Sequence, residues 1–248
     1  MFLKLLRSLL VSLFIFSFFL YGENNSKENY KENNISGSKL KQFGYDFFYK
    51  SPKSFITDQT VPVTPDYVIG PGDQIVLTLW GRINDRLVLD VSREGLIYLP
   101  KMGVVNVAGV SFKDLRDFLK KEISKYYTDF DINVSMGNLR LIRVYIVGNV
   151  SHPGAYTING LSTIITALFE SGGPSNNGTM RAVELKRNGK TISVIDLYDF
   201  LIKGDKTNDV KLINEDTIFV PPVGKLVTVV NGVKNPAVYE LKPEEKLK

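Results

Sequence analysis

The chain has 248 residues, with 31 Lys and Arg against 26 Asp and Glu, one His, no Cys and 44% hydrophobic residues. Zero cysteine excludes disulfide frameworks, thiolate nucleophiles and thiolate metal sites. A lone histidine, His152, excludes chemistry built from several imidazoles. The first 22 residues hold Lys4 and Arg7 and no acid, which leaves 29 − 26 = +3 on the remainder. Those charges are interspersed rather than gathered on one run, so no nucleic-acid partner is expected.

Residues 1–7 supply two positive charges, and residues 8–21 follow as 14 uncharged, mostly apolar residues. That run is short of the ~20 residues that cross a bilayer as a helix, and it fits the hydrophobic region of a secretory signal. Gly22 is small enough to precede a cleavage, although Leu20 is a poor residue three positions back; an uncleaved anchor is the alternative. No Cys follows, so a lipidated N-terminus is not expected. The reading is a signal peptide over 1–22 and a flexible spacer with an aromatic opening segment over 23–60. Residues 23–38 are rich in Asn, Lys, Glu and Ser, and cannot bury enough surface to offset their ordering entropy. Residues 43–49 then place five aromatics in seven positions. Such density implies packing, on its own domain or on a neighbouring subunit.

A first domain is expected over 61–140. Gly70-Pro71-Gly72-Asp73 reads as a turn, because Pro presets φ and Gly supplies φ > 0. Strands are expected over 75–79, 87–91 and 96–100, with Arg93-Glu94-Gly95 turning between the last two. Ser111 with Asp114 three residues on has the capping-box arrangement. Leu115, Phe118, Leu119, Ile123 and Tyr126 then make one apolar helix face running to about Tyr127. Strands return at 132–136 and 141–147.

A second unit is expected over 141–224. A strand to Gly148, a bend over 149–154 and a strand over 155–158 precede a helix over 163–171, capped by Ser162 and ended by Gly172-Gly173. Strands 182–187 and 191–195 flank Asn188-Gly189, a strong hairpin signal. A short helix over 197–203 stops at Gly204, and a strand over 217–220 closes the unit. Val147, Val150, Pro153, Tyr156 and Ile158 recur as Val230, Val233, Pro236, Tyr239 and Leu241, all at an offset of 83. Residues 225–248 are therefore read as the truncated start of a second copy, in a chain that is a fragment of something longer. Residues 225–241 are expected to form at most a strand and a bend, and the first copy is expected to fold without them.

Tyr67-Val-Ile-Gly-Pro-Gly-Asp73, Arg93-Glu-Gly95-Leu-Ile-Tyr-Leu-Pro100 and Gly103-Val-Val-Asn-Val-Ala-Gly109 resemble the N-terminal domain of bacterial polysaccharide export proteins, the Wza-like outer-membrane family. Val147-Gly-Asn-Val150, Pro153-Gly-Ala-Tyr156 and Ala167-Leu-Phe-Glu-Ser-Gly-Gly173 resemble that family's soluble-ligand-binding β-grasp (SLBB) repeat, which is ubiquitin-like. Phe43-Gly-Tyr-Asp-Phe47 resembles the opening segment of multi-repeat members, and the likeness runs over about 44–247. It implies an α+β chain: a small mixed-sheet export domain, a β-grasp SLBB domain and the start of a second. It also implies a homo-oligomeric ring that carries capsular or extracellular polysaccharide through the periplasm and outer membrane. Its other partner would be an inner-membrane polysaccharide co-polymerase. Two departures from the resemblance are expected within this sequence: the lipidated Cys of many relatives is missing, and residues 1–248 are not expected to hold an amphipathic C-terminal helix.

The residues carrying the family pattern are Gly70, Pro71, Gly72, Asp73, Gly95, Gly148, Pro153, Gly154, Tyr156, Gly172 and Gly173. No catalytic, cofactor or metal residue is assigned, and no ligand-binding residue is singled out. Asp73 reads as the carboxylate capping its own turn, with a metal or sugar contact as the alternative. His152, aligned with Asn235 in the repeat, reads as a polar turn residue rather than a ligand. Gly172-Gly173 ends a helix rather than opening one, so it is a C-cap and not a phosphate cradle. Asp90 and Glu94 flank an expected hairpin, and nothing places them across a substrate as an acid/base pair. Trp80 reads as core, with stacking on a sugar ring as the alternative. The sequons at Asn133, Asn149 and Asn177 are base-rate matches. The reading is a non-catalytic export component; the alternatives are a periplasmic module holding a small ligand and a glycan-cleaving enzyme, which would need paired carboxylates.

Overall fold

The computed structural model describes residues 40–49 and 62–246. The expected leader and the polar spacer lie outside the described residues. Where β-branched and leucine side chains alternate with polar ones, the chain is strand. β1 (Gln74–Gly81) buries Ile75, Leu77 and Leu79 and turns Val76, Thr78 and Trp80 to the other face. It pairs antiparallel with β2 (Asp85–Asp90) on one side. After the strands β3 (Leu96–Leu99) and β4 (Gly103–Asn106) and the helix α2 (Phe112–Ile123), β5 (Phe130–Met136) pairs antiparallel on its other side. The four-residue helix α1 (Asp46–Tyr49) precedes them all. Leu115, Leu119 and Ile123 of α2 are fully buried with Ile75, Leu77 and Ile132 in the first core.

Four expectations are corrected here. β3 pairs with β4, which the sequence reading left out, and not with β2; Arg93-Glu94-Gly95 therefore joins two sheets rather than closing a hairpin. Helix α2 ends at Ile123, because Tyr126 N–H donates to the Ile123 carbonyl three residues back, and Tyr126 is exposed. Ser111 is the N-cap, but its hydroxyl donates to the Asp114 carboxylate and accepts no backbone N–H, so no capping box forms. Trp80 is 44% exposed, because position 80 shares the outward parity of Val76 and Thr78.

The second core is a five-stranded sheet with order β7-β6-β10-β8-β9. Its strands are β6 (Leu141–Gly148), β7 (Gly154–Asn159), β8 (Val183–Arg187), β9 (Lys190–Ile195) and β10 (Thr217–Val220). β10 runs parallel to β6 and the remaining pairings are antiparallel. Counted within the sheet the order is 2-1-5-3-4, the β-grasp arrangement, and the fold class is α+β as expected. Helix α3 (Ile164–Glu170) lies against it, burying Ile164, Ile165, Ala167 and Leu168. Its cap is Thr163 rather than Ser162, since Thr163 and Thr166 exchange side-chain and backbone bonds in a reciprocal box. Asn188 and Gly189 both adopt positive φ, as a two-residue type I′ hairpin turn requires. The short helix after Leu197 is a π turn (Asp199–Lys203) capped by left-handed Gly204.

β11 (Lys225–Val229) and β12 (Ala237–Leu241) form a complete antiparallel hairpin, not the strand and bend expected. Its register repeats that of β6 and β7. Val227 faces Tyr239 as Val144 faces Tyr156, and Val229 faces Ala237 as Ile146 faces Gly154. Among the described residues no helix is long and apolar enough to cross a membrane.

Candidate functional site

The Gly70–Asp73 turn is held from four directions. Asp73 is fully buried, and its Oδ1 accepts from the Tyr67 hydroxyl at 2.6 Å and the Arg140 amide at 2.9 Å. Its Oδ2 accepts from the Gly70 amide at 2.9 Å and the Arg140 guanidinium at 2.7 Å. A carboxylate out of water persists when its lone pairs are filled in this way. The Arg140 guanidinium also donates to the Val68 carbonyl and lies 5.1 Å from the centre of the Tyr67 ring. Burial, reinforced by the hydrogen bond to Asp73, raises the Tyr67 hydroxyl above the ordinary phenol range. Asp73 therefore caps its turn as expected, and it also anchors Arg140 at the passage from β5 to β6.

That passage joins the two cores. A Cβ at Gly160 would lie 3.2 Å from both Arg140 Cγ and the Tyr67 oxygen, so the loop after β7 is seated on this pair. Leu161 packs against the first core. Lys211 Nζ reaches Asp66 at 3.0 Å and the Thr64 hydroxyl at 2.9 Å, and these contacts hold the Asp66 carboxyl below its usual range, the Thr64 hydrogen bond most of all.

The second group of family residues gathers at the end of α3. Gly148 adopts positive φ where β6 meets β10, and a Cβ there would sit 2.3 Å from the Val220 carbonyl oxygen. Pro153 precedes Gly154, the first residue of β7, and the Tyr156 hydroxyl donates to the His152 carbonyl at 2.6 Å. In the second hairpin the Tyr239 hydroxyl donates to the Asn235 carbonyl at 2.8 Å, at the same offset of 83. His152 is a turn residue, its Nδ1 3.2 Å from the Ser171 carbonyl. Gly172 and Gly173 follow the α3 C-cap at positive φ, and a Cβ on Gly173 would lie 2.2 Å from Phe48 Cγ. Gly95 packs against Ala108, and its carbonyl accepts the Val107 and Ala108 amides, away from both groups.

Phe48 belongs to the aromatic segment, which packs on the second core and passes over the nearer first one. Phe48 and Tyr45 are buried there, and the Tyr45 hydroxyl donates to the Gly178 carbonyl at 2.5 Å. Phe47 contacts Phe169 and Phe200; Phe43 stacks on Tyr239 and meets Tyr198 edge-on. Phe43 N–H donates to the Val238 carbonyl, and Val238 N–H to the Lys41 carbonyl, so the segment meets the second hairpin through a single parallel bridge between Gln42 and Val238. Glu240, unnoticed in the sequence, is buried in that hairpin. Its carboxylate accepts from the Thr179 hydroxyl at 2.6 Å, the Met180 amide at 2.9 Å and the Gly224 amide at 2.8 Å. An acid in an alternating apolar strand, Val238-Tyr239-Glu240-Leu241, was the available signal. Arg140 offered none, being a single arginine between strands.

Asp90 and Glu94 do not face a common space: Asp90 accepts from Gln74 Nε2 and Glu94 from the Ser92 hydroxyl. Among the described residues no three His, Cys, Asp or Glu side chains converge as a metal-binding group.

Residues 61–137 match the polysaccharide biosynthesis/export protein family, and residues 142–220 match the SLBB domain. The polysialic acid transport protein KpsD of Escherichia coli is 31% identical over 185 residues, covering 74% of this chain and 33% of that protein. The EPS I polysaccharide export outer membrane protein EpsA of Ralstonia nicotianae is 30% identical over 141 residues, covering 52% of this chain and 37% of that protein. The chain spans about a third of the length of these relatives.

Proposed function

Because this chain belongs to the family of bacterial polysaccharide export proteins that carry SLBB repeats, we propose that it is a non-catalytic part of an assembly exporting capsular or extracellular polysaccharide. The observation that carries this reading is the run of the two domains in family order, with 31% identity to a polysialic acid transport protein over 185 residues. In this reading the protein is exported and works in the periplasm and at the outer membrane of a Gram-negative-type bacterium. It assembles as a homo-oligomeric ring and meets an inner-membrane polysaccharide co-polymerase. The two cores are tied by Asp73, Arg140 and Lys211, and such ties suit a scaffold that keeps its domains in one orientation under load. The chain is partitioned as an export domain over 61–140, a first SLBB domain over 141–224 and the start of a second from 225.

Disrupting the gene tests the reading. Surface polysaccharide is expected to disappear while its precursors continue to be made, and the intact gene restores it. A mutant that still displays normal surface polysaccharide, with no paralogue in its genome, overturns the assignment. Cross-linking at native expression tests the assembly. A ladder ending at a ring-sized species supports it, and a protein that stays monomeric supports a periplasmic module holding a small ligand instead.

A further inference from the structure

The face of the first sheet turned away from α2 is open, and it mixes aromatic, cationic and neutral polar side chains. Trp80, at the end of β1, is 44% exposed, and Val88 on β2 is 55% exposed. Thr78 stands opposite Arg86 on β2 and Asn133 on β5; Val76 stands opposite Val88 and Ser135. The side chains of Trp80, Thr78, Arg86, Asn133 and Ser135 have no hydrogen bond or ion pair among the described residues. Arg82, Arg116, Arg140, Arg143, Arg181 and Arg187 each hold a carboxylate, whereas Arg86 and Arg93 hold none among the described residues, and of these two Arg86 stands on this face while Arg93 lies in the turn before β3. The carboxylates that border the face are engaged: Asp131 by Arg116 and Lys120, Asp90 by Gln74, Asp85 by the Arg86 amide. The face thus presents an indole plane, an unmatched guanidinium, and hydroxyl and amide groups that both donate and accept.

We propose that this face binds an acidic polysaccharide, with a sugar ring stacked on Trp80 and its carboxylate on Arg86. The proposal rests on the export reading and names where in the chain the cargo is touched. A pyranose ring has an apolar C–H face that suits an indole and a rim of hydroxyls that suits Thr78, Asn133 and Ser135. A guanidinium without a protein partner takes a carboxylate in bidentate fashion. Trp80 and Arg86 are diagonal neighbours on adjacent strands, with backbones ~7–8 Å apart, so one sugar can rest on the ring while its substituent reaches the cation. A protein partner's core would call for a contiguous apolar patch. Here Val76 and Val88 stand as one pair among polar groups.

Trp80 is the sole tryptophan of the chain, so its fluorescence reports this face alone. The full chain is titrated with oligogalacturonate and with a neutral maltooligosaccharide of equal length. The acidic oligomer is expected to change the emission saturably, less strongly as salt rises, and the neutral one to bind at least about tenfold more weakly. Arg86→Gln abolishes that preference. Trp80→Ala, followed by calorimetry, weakens binding of the acidic oligomer by about tenfold or more. Both side chains are exposed, so both variants keep the wild-type unfolding midpoint. Three results overturn the proposal. The emission is unmoved by either oligomer. Calorimetric binding is unchanged in both variants, which puts the glycan elsewhere and leaves the export reading standing. The emission shifts with protein concentration alone as a dimer forms, which makes the face an interface between copies. Failure of the export reading itself is read separately, from surface polysaccharide in the disrupted strain.

Discussion

The Arg140 guanidinium lies 2.7 Å from the Asp73 carboxylate, joining the Gly-Pro-Gly-Asp turn of the first core to the strand that opens the second. Asp73 is fully buried, whereas the Arg140 side chain keeps a 26% exposed rim. The pair is completed by Tyr67 and two amides, so each acceptor site on Asp73 is occupied and the joint has one geometry.

Removing the acid therefore strands several donors at once. Asp73→Ala is expected to cost about 3–5 kcal/mol, the scale for breaking a buried pair from one side. Tyr67→Phe removes one hydrogen bond and is expected to cost about 1 kcal/mol. Glu94→Ala, at an exposed turn bonded to Ser92, is expected to leave the unfolding midpoint at the wild-type value. Urea unfolding of the three variants measures this; an Asp73→Ala midpoint equal to that of Glu94→Ala would show that the node carries no stability.

Gly173 and Gly172 share positive φ but differ in what they face. An alanine at either position incurs left-handed strain of about 1–2 kcal/mol. At Gly173 the new methyl also meets the Phe48 ring, and overpacking adds about 1–3 kcal/mol. Gly173→Ala is thus expected to loosen residues 40–49 from the second core, and Gly172→Ala to leave them in place. Limited proteolysis reads the difference. Equal cleavage rates in the two variants would mean that Phe48 is not seated on Gly173.

Local periodicity made much of this fold readable, and contacts distant in sequence did not. Ile75, Leu77 and Leu79 declare their strand by alternation, and Asn188-Gly189 declares its turn by the φ it tolerates. The offset of 83 predicts the start of a second repeat but only a strand and a bend within it; the structure forms the whole hairpin and repeats even the Tyr156 hydrogen bond at Tyr239. The indole of Trp80 suggests core, yet its parity with Val76 and Thr78 sets it on the outward face, and parity decides. β4 was missed because Gly103 and Asn106 are weak strand formers, and its pairing with β3 decides it. Nothing local says that Phe48 will rest on a glycine 125 residues away, or that Arg140 will find Asp73.

Alkaline pH is expected to unfold the protein through its buried tyrosines. Burial raises Tyr45, Tyr67 and Tyr198 above the ordinary value, with Glu240 adding to the shift of Tyr45 and Asp73 to that of Tyr67. The folded hydroxyls keep their protons above about pH 10, where the unfolded chain releases them. Their contribution is complete below about pH 10 and is lost as the pH climbs past it. Tyrosinate absorbance should rise in two stages, the second coinciding with loss of circular dichroism. Tyr45→Phe and Tyr67→Phe remove ionisable groups, so both should flatten the alkaline fall in stability. A single absorbance step at pH 10 with the fold intact would contradict this.

The second hairpin is expected to behave as part of the second core. Glu240 is tied through its carboxylate to Thr179, Met180 and Gly224, through its amide to the Tyr198 hydroxyl, and through its carbonyl to Arg181. Arg181 also reaches Asp196 and Glu245, and Lys242 reaches Asp196 from the hairpin side. Ending the chain at Gly224 would orphan the Thr179 hydroxyl and the Met180 amide and bare the ring faces of Phe43 and Tyr198. Each orphaned buried group costs about 1–3 kcal/mol, so that deletion is expected to destabilise the first repeat, against the simpler expectation that it stands alone. Glu240→Gln keeps the shape but weakens the charge-assisted bonds, and should lie between wild type and Glu240→Ala in urea. Hydrogen exchange supplies the direct measurement. The Val238 and Glu240 amides, bonded to Lys41 and Tyr198, should exchange slowly, while residues 230–236 of the turn exchange fast. Rapid exchange at both amides, together with a Glu240→Ala variant as stable as wild type, would detach the hairpin from the core and restore the view that the first repeat folds without it.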